Sequence, residues 1–265
     1  LTLSHEAGAA SGYESESNDT LESANAAALD VAMAGQVASP GDVDFYKVFA
    51  PDAGSLSVVF DVPTTSAYAD YFQLGLYDAA GTQLARFSTG ADKTYTVGAP
   101  ASGTYYVGVA SDDYSAGPYS FIVSNAAGPT PAYEAESNDT PGSATALTPG
   151  DAMKGQLASN IDTDCFKLTV SGPGVITLAF DAPTRSKYTD YFQVSVTDAA
   201  GNLIDDGNGK ITWTAPENIW RVTGEPGALS VRFYNGPRGN NYADTHDAKK
   251  LCLHYAAAEP VPSDE

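Results

Sequence analysis

Basic residues are scarce in this chain, with 13 Lys and Arg against 33 Asp and Glu over 265 residues and a formal net charge of −20. A phosphate backbone selects clustered Lys and Arg, so this balance argues against nucleic acid as a partner. It argues equally against an anionic membrane surface. No apolar run approaches the roughly 20 residues that span a bilayer, so no membrane span is expected. Histidine is limited to His5, His246 and His254, in dissimilar contexts. No HExxH, GxSxG or phosphate-cradling glycine loop occurs, and a non-catalytic protein is expected. The chain opens at Leu1 rather than Met, as a processed form or an excised fragment would.

Cysteine is nearly absent. Cys165 and Cys252 have no CxxC or Cys–His spacing around them, so metal ligation by sulfur is not expected. Each lies in a short alternating stretch, Asp164-Cys165-Phe166-Lys167-Leu168 and Lys250-Leu251-Cys252-Leu253-His254. If these stretches become neighbouring strands, the sulfurs meet in a disulfide, worth about 4 to 5 kcal/mol on the entropic model. If not, they are two thiols. A secreted setting favours the disulfide.

What the chain does contain is a duplication. Glu14-Ser15-Glu16-Ser17-Asn18-Asp19-Thr20 returns as Glu134-Ala135-Glu136-Ser137-Asn138-Asp139-Thr140, displaced by 120 residues. The same offset relates Gly35-Gln36 to Gly155-Gln156, and Asp42 and Asp44 to Asp162 and Asp164. It still relates Asp70-Tyr71-Phe72-Gln73 to Asp190-Tyr191-Phe192-Gln193. Further on, Gly103-Thr104-Tyr105 aligns with Gly227-Ala228-Leu229 at an offset of 124, so the second copy carries insertions. A length of 265 residues accommodates two domains with their own cores, and 43% hydrophobic with 17% charged residues marks a globular chain.

Five segments follow: an extended N-terminal segment at 1–12, a first domain at 13–125, a Pro-rich linker at 126–132, a second domain at 133–256 and an acidic Pro-rich tail at 257–265. Within the first domain Val43 to Ala50, Ser55 to Phe60, Phe72 to Tyr77, Lys93 to Val97, Thr104 to Ala110 and Tyr119 to Val123 alternate or run apolar between Gly and Pro turns. Short strands at this spacing predict an all-β protein of antiparallel sandwiches rather than a parallel sheet with crossover helices. Thr140-Pro141 predicts one helical turn and no more.

The repeated opening stretch is where chemistry concentrates. In extended chain, residues i, i+2 and i+4 project to one side, which gathers Glu14, Glu16 and Asn18, with Asp19 at the turn. Carboxylates so gathered repel one another unless a cation sits among them. Calcium takes six to eight oxygen ligands in flexible geometry. One strand supplies too few, and Asp42 and Asp44 are the nearest further donors. The second copy offers Glu134, Glu136, Asn138, Asp139, Asp162 and Asp164. For a single copy the plainer reading, Asn18 and Asp19 capping a turn beneath solvated glutamates, would be preferred. Recurrence at a fixed offset favours Ca2+, and magnesium, which keeps a tight octahedron with several waters, is disfavoured.

Glu-x-Glu-x-Asn-Asp-Thr, followed by Gly35, Asp42, Asp44 and Tyr46, resembles the bacterial pre-peptidase C-terminal domain. Asp70 to Leu74, Asp78-Ala79-Ala80-Gly81, Gly103 to Val107 and Gly117 to Phe121 fit the same pattern. The family is similar to the collagen-binding domains of secreted collagenases. The resemblance implies tandem jelly-roll-like β-sandwiches, calcium held by Glu14, Glu16, Asn18, Asp19 and Asp44 and their second-copy equivalents, and a non-catalytic role beside secreted hydrolases.

Tyr68 and Tyr188 occupy matching polar loops and are the candidate ligand-facing aromatics, although aromatics also fill sandwich cores and staple loops. The expectation is an extracellular or cell-surface calcium-binding module. Its partners would be homo-oligomer or filament neighbours, with residues 1–12 adding a strand to a neighbour's sheet, or an extracellular polymer or protein bound for a secreted hydrolase.

Overall fold

Between residues 43 and 123, apolar residues at every second position become strands wherever they were expected, and along Val43–Ala50 and Gly54–Asp61 the buried face follows the alternation. The computed structural model describes residues 12–64, 66, 71–111, 117–128, 132–155, 157–158, 162–170, 174–181, 192–197, 218–224, 227–235 and 249–257. At 132, 170, 174–181, 192–194, 218–224, 227–235 and 249–257 it describes the backbone. Tyr68, Tyr188, residues 1–11 and residues 258–265 lie outside the described residues. The chain divides into two units, Leu1–Ala127 and Gly128–Glu265.

The first unit contains β1 (Asn25–Ala26), β2 (Met33–Gly35), β3 (Val43–Ala50), β4 (Gly54–Asp61), β5 (Phe72–Tyr77), β6 (Gln83–Thr89), β7 (Lys93–Ala99), β8 (Gly103–Ser111) and β9 (Tyr119–Ala127). They form two sheets, β1-β3-β8-β5-β6 and β2-β9-β4-β7. All pairings are antiparallel except the short β1·β3 ladder. The order of β3-β8-β5-β6 against β2-β9-β4-β7 is that of a jelly roll. Its core is the inward set of each strand: Tyr46 and Val48 from β3, Leu56, Val58 and Phe60 from β4, Phe72, Leu74 and Leu76 from β5, Tyr105, Val107 and Val109 from β8, Tyr119, Phe121 and Val123 from β9. Burying each large side chain contributes about 1.5–3 kcal/mol.

The second unit contains β10 (Ala132–Tyr133), β11 (Thr145–Ala146), β12 (Ala152–Gly155), β13 (Thr163–Val170), β14 (Gly174–Asp181), β15 (Phe192–Thr197), β16 (Asn218–Gly224), β17 (Gly227–Asn235) and β18 (Lys249–Ala257). Its sheets run β10-β12-β18-β14-β16 and β11-β13-β17-β15. Eight strands repeat the first unit, with β11, β12, β13, β14, β15, β16, β17 and β18 in the places of β1, β2, β3, β4, β5, β7, β8 and β9. Register confirms the insertions: Val43 pairs with Ala110, whereas Thr163 pairs with Tyr234.

Some expectations shift. The linker expected at 126–132 loses both ends to strands, because Ala126 and Ala127 pair with Ser55 and Gly54, and Ala132 pairs with Met153. The expected helical turn is a single hydrogen-bonded turn, with Ser143 N donating to Thr140 O at 3.1 Å and Ser23 N to Thr20 O at 3.2 Å. The side-by-side placement expected of the two cysteine strands is not found. Cys165 lies on β13 opposite Arg232, while Cys252 lies on β18 in the other sheet, opposite Ala152 and Ala179. Among the described residues no helix is long and apolar enough to cross a membrane.

Candidate metal centre

The opening stretch of each copy laces the two sheets together at one edge. In the first unit Tyr13 bridges Ala34 of β2 in parallel, and Glu14 N donates to Ala34 O at 3.0 Å. Four residues on, Phe45 N of β3 donates to Asn18 O at 3.0 Å. The second unit repeats both contacts, with Glu134 N to Lys154 O at 2.9 Å and Cys165 N to Asn138 O at 3.0 Å. In both copies the peptide after the second glutamate, Glu16–Ser17 and Glu136–Ser137, is cis. The stretch from Glu14 to Asp19 is therefore a loop fastened at both ends, not the extended strand from which its side-chain directions were expected.

The acidic side chains nevertheless converge. Glu14, Glu16 and Asp44 form one group and Glu16, Asp19 and Asp42 a second, with the ligand atoms of each group within 4.8 Å of one another. Glu16 belongs to both. In the second unit Glu134, Glu136 and Asp164 form the matching group. Asp139 and Asp162 stand beside it and are engaged with backbone: Asp139 Oδ1 accepts from Thr163 N at 3.3 Å, and Asp162 Oδ2 accepts from Ala158 N. In the first unit Asp42 Oδ2 likewise accepts from Ala38 N at 2.5 Å.

Two fully buried side chains at the first group carry atoms without hydrogen-bond partners. Asn18 and Asp44 are both 0% exposed, and neither Asn18 Oδ1, Asn18 Nδ2 nor Asp44 Oδ1 has a partner. Leaving such atoms unmade costs about 1–3 kcal/mol each, more for a charged group. Oxygen atoms buried in this way beside Glu14, Glu16, Asp19 and Asp42 are the donor set a hard divalent cation takes.

Hydroxyls missed at the level of sequence hold this group in place. Tyr46 donates to Glu14 Oε2 at 2.5 Å, the Tyr46 and Tyr119 hydroxyls are 2.7 Å apart, and Tyr119 donates to Asp44 Oδ2 at 2.5 Å. Glu14 Oε1 accepts from Gln36 N. Gly35 leaves the room for this chain of bonds, since a Cβ there would lie 2.1 Å from the Tyr46 hydroxyl. Gly35 and Tyr46 both stood in the sequence pattern, but only their contacts reveal a supporting role. Above the group, Tyr13, Glu14, Glu16, Gln36 and Pro118 line an open depression of about 620 Å³.

The electrostatics follow from crowding like charges. Burial, with repulsion from Glu14, Asp42 and Glu16, pushes the Asp44 carboxyl up to about 7 against the hydrogen bond from Tyr119. Burial, with Asp164 and Asp162 nearby, pushes Glu136 up to about 8. Glu16 and Asp42 are raised as well, by burial first and by neighbouring carboxylates second. Tyr46 and Tyr119 are raised by burial, aided by the carboxylates beside them, so both remain hydroxyl donors.

No protein-family model matches the chain, and no curated protein matches it significantly. Solved structures give a distant likeness. The pre-peptidase C-terminal domain of a collagenase from Bacillus anthracis is 14% identical, with 42% of this chain and 93% of that chain covered and a TM-score of 0.30. The tandem CBM51 modules of a family 98 glycoside hydrolase from Streptococcus pneumoniae are 10% identical, covering 87% of this chain and 85% of that one, at a TM-score of 0.31. The CUB1-EGF-CUB2 region of human MASP-1/3 is 9% identical, covering 82% and 94%, at a TM-score of 0.27. The class is defined by the strands and their pairing: an all-β protein of tandem antiparallel sandwiches.

Proposed function

We propose that this protein is a non-catalytic, calcium-stabilised binding module that works outside the cell. The observation that carries the reading is the pair Asn18 and Asp44, fully buried with partnerless oxygens within a ring of carboxylates. Calcium supplies the missing partner, fastening the opening loop to both sheets through Glu14, Glu16, Asn18, Asp19, Asp42 and Asp44. The second copy would use Glu134, Glu136 and Asp164, with Asn138, Asp139 and Asp162 beside them. Loosely built sites in extracellular modules work at about 10⁻⁴–10⁻³ M calcium, concentrations met outside cells.

Binding itself is supported by the outer face of the five-stranded sheet. Phe49 on β3 is 60% exposed. Tyr77 lies over Gly75, and Phe45 over Gly108, with the two rings 5.6 Å apart. Aromatic surface of this kind suits a polymer or protein ligand.

The test is isothermal titration and thermal melting of the whole chain with calcium and with chelator. A ligand that binds only the folded state must stabilise it, by about 2.7 kcal/mol at a hundred times its dissociation constant. Identical melting in both conditions would sink the calcium reading. Loss of retention on an extracellular polymer in Phe49→Ala would support the aromatic face as the contact.

A further inference from the structure

The outer face of β3-β8-β5-β6 gathers what the rest of this acidic chain lacks. Residues 1–127 contain three Lys or Arg, and two of them, Lys47 on β3 and Arg86 on β6, belong to this sheet. Asp44 is the one acid on the four strands, and it points inward, fully buried. Register lays out the face. Lys47, Tyr106 and Tyr77 stand opposite one another on β3, β8 and β5. Two residues along, Phe45, Gly108, Gly75 and Arg86 form the next row. Strands lie about 4.8 Å apart, so the two rows span roughly 10 and 14 Å. The bare glycines leave a trough against which two rings lie: Tyr77 Cε2 would be 2.6 Å from a Cβ on Gly75, and Phe45 Cε1 3.0 Å from one on Gly108. Lys47 and Phe49 are exposed, and Arg86 is held by a hydrogen bond to Gln73 Oε1.

The fold does not require these rings. At the same strand positions the second copy holds Cys165 for Phe45, Thr197 for Tyr77 and Ser230 for Tyr106, with Ser195 and Arg232 for the two glycines. The common modes of peptide docking do not suit the face either. β8 and β5 are paired on both sides, so a peptide cannot join them as a strand. A pyranose ring, by contrast, lays its C–H face on an aromatic ring and turns its hydroxyls to polar neighbours. Cations at opposite ends of an aromatic row match carboxylates that recur along a polymer. Duplex DNA, with one charge per roughly 1.7 Å, is too densely anionic for a chain of this net charge. A uronate polymer carries at most one charge per sugar, and acids more than about 8 Å away are largely screened in physiological salt.

We propose that this face of the first unit binds an acidic polysaccharide. Phe45, Phe49, Tyr77 and Tyr106 stack on its sugar rings, and Lys47 and Arg86 pair with its carboxylates. The inference rests on the reading of this sheet as the binding face and names the class of its ligand.

Titration calorimetry of the whole chain in calcium tests it, with short hyaluronan and galacturonate oligosaccharides, the same sugars with their carboxyls reduced to alcohols, and poly-glutamate. An acidic oligosaccharide should bind, and more weakly as salt is raised. Its reduced form should bind about tenfold or more weakly, and poly-glutamate should give no heat. Lys47→Gln should weaken binding by up to about fivefold, the range of an exposed ion pair. Tyr106→Ser, which takes the residue of the second copy, should weaken it by about tenfold at an unchanged melting temperature. Lys93→Gln, on the other sheet, should leave binding as it was. Equal affinity for the reduced sugars would overturn the acidic class and leave the binding face standing. Equal affinity for poly-glutamate would make the partner an acidic peptide and overturn the inference. So would acidic sugars that bind Lys47→Gln and Tyr106→Ser as tightly as the parent. Heat from none of the probes would overturn the inference and the binding face together, while the calcium reading is judged separately by melting with chelator.

Discussion

Tyr119 on β9 donates its hydroxyl to Asp44 Oδ2 on β3 at 2.5 Å, a bond that crosses from one sheet of the sandwich to the other. The Tyr119 ring is core, tilted against Phe60 and edge-on to Phe72 with centroids at 5.4 and 5.9 Å. One residue therefore ties the packing of the sandwich to the orientation of a buried carboxylate whose other oxygen has no partner. The fold and the candidate site share a single support.

Tyr119→Phe separates those roles. The ring contacts remain, and the hydroxyl bonds to Asp44 and Tyr46 are lost. The chelated protein is expected to lose about 1–3 kcal/mol, the usual cost of orphaning a buried acceptor. Calcium affinity of the first copy should fall by about tenfold or more, as when other ligand-orienting partners are removed. Denaturant unfolding measures the first effect and calcium titration the second. A variant that melts lower but binds calcium as before would deny Tyr119 its positioning role.

Gly35 is expected to be intolerant for a local reason. A Cβ there meets the Tyr46 hydroxyl at 2.1 Å, with Glu14 Oε2 and the Tyr119 hydroxyl both at 2.5 Å. Overpacking at such a site typically costs about 1–3 kcal/mol, and here it also displaces Glu14. Gly103 is the control, since nothing lies within 4 Å of its would-be Cβ. Gly103→Ala should change stability by less than about 0.5 kcal/mol. Comparable losses in the two variants would show that Gly35 is not constrained by the site.

The legible part of the site was the part written as repetition. Glu14, Glu16, Asn18 and Asp44 were found because each recurs, and repetition is visible in one chain. The strands were legible because one buried face imposes alternation, as in β3, where Tyr46, Val48 and Ala50 point inward. Tyr119 was invisible as a site residue because its contact with Asp44 spans 75 residues and its second-copy position holds Lys249. Nothing in an alternating strand says which inward tyrosine meets a carboxylate. The placement of the cysteine strands was illegible for a related reason: alternation gives the face of a strand, but not which sheet the strand joins.

Asn18 and Asn138 give a contrast of sign. In chelator Asn18→Ala removes two unsatisfied buried atoms and should be close to neutral in stability, whereas Asn138→Ala breaks bonds to Cys165, Glu134 and Thr145 and should cost about 1–3 kcal/mol. In saturating calcium Asn18→Ala should become destabilising relative to the parent, because the parent then gains a ligand the variant lacks. Melting of both variants with and without calcium checks this. Equal costs in chelator would mean that the two amides sit in equivalent surroundings.

The pH dependence is expected to invert with calcium. Asp44 stands at about 7 against an ordinary 3.8, and Glu136 at about 8 against 4.5, each raised chiefly by burial. A raised folded-state value means that the folded protein holds more protons than the unfolded chain between those limits. The stability they contribute is therefore complete below about pH 4 and is lost as pH rises through about 7 to 8. Metal-free protein should melt lower as pH is raised across that window. Calcium binds the ionised carboxylates and releases their protons, so the calcium-induced rise in Tm should be small near pH 5 and large near pH 8. Titration in buffers of different ionisation enthalpy should register the proton release. If the chelated protein instead grew more stable from pH 5 to pH 8, the carboxylates would not be crowded in the folded state, and a cation would have no repulsion to relieve.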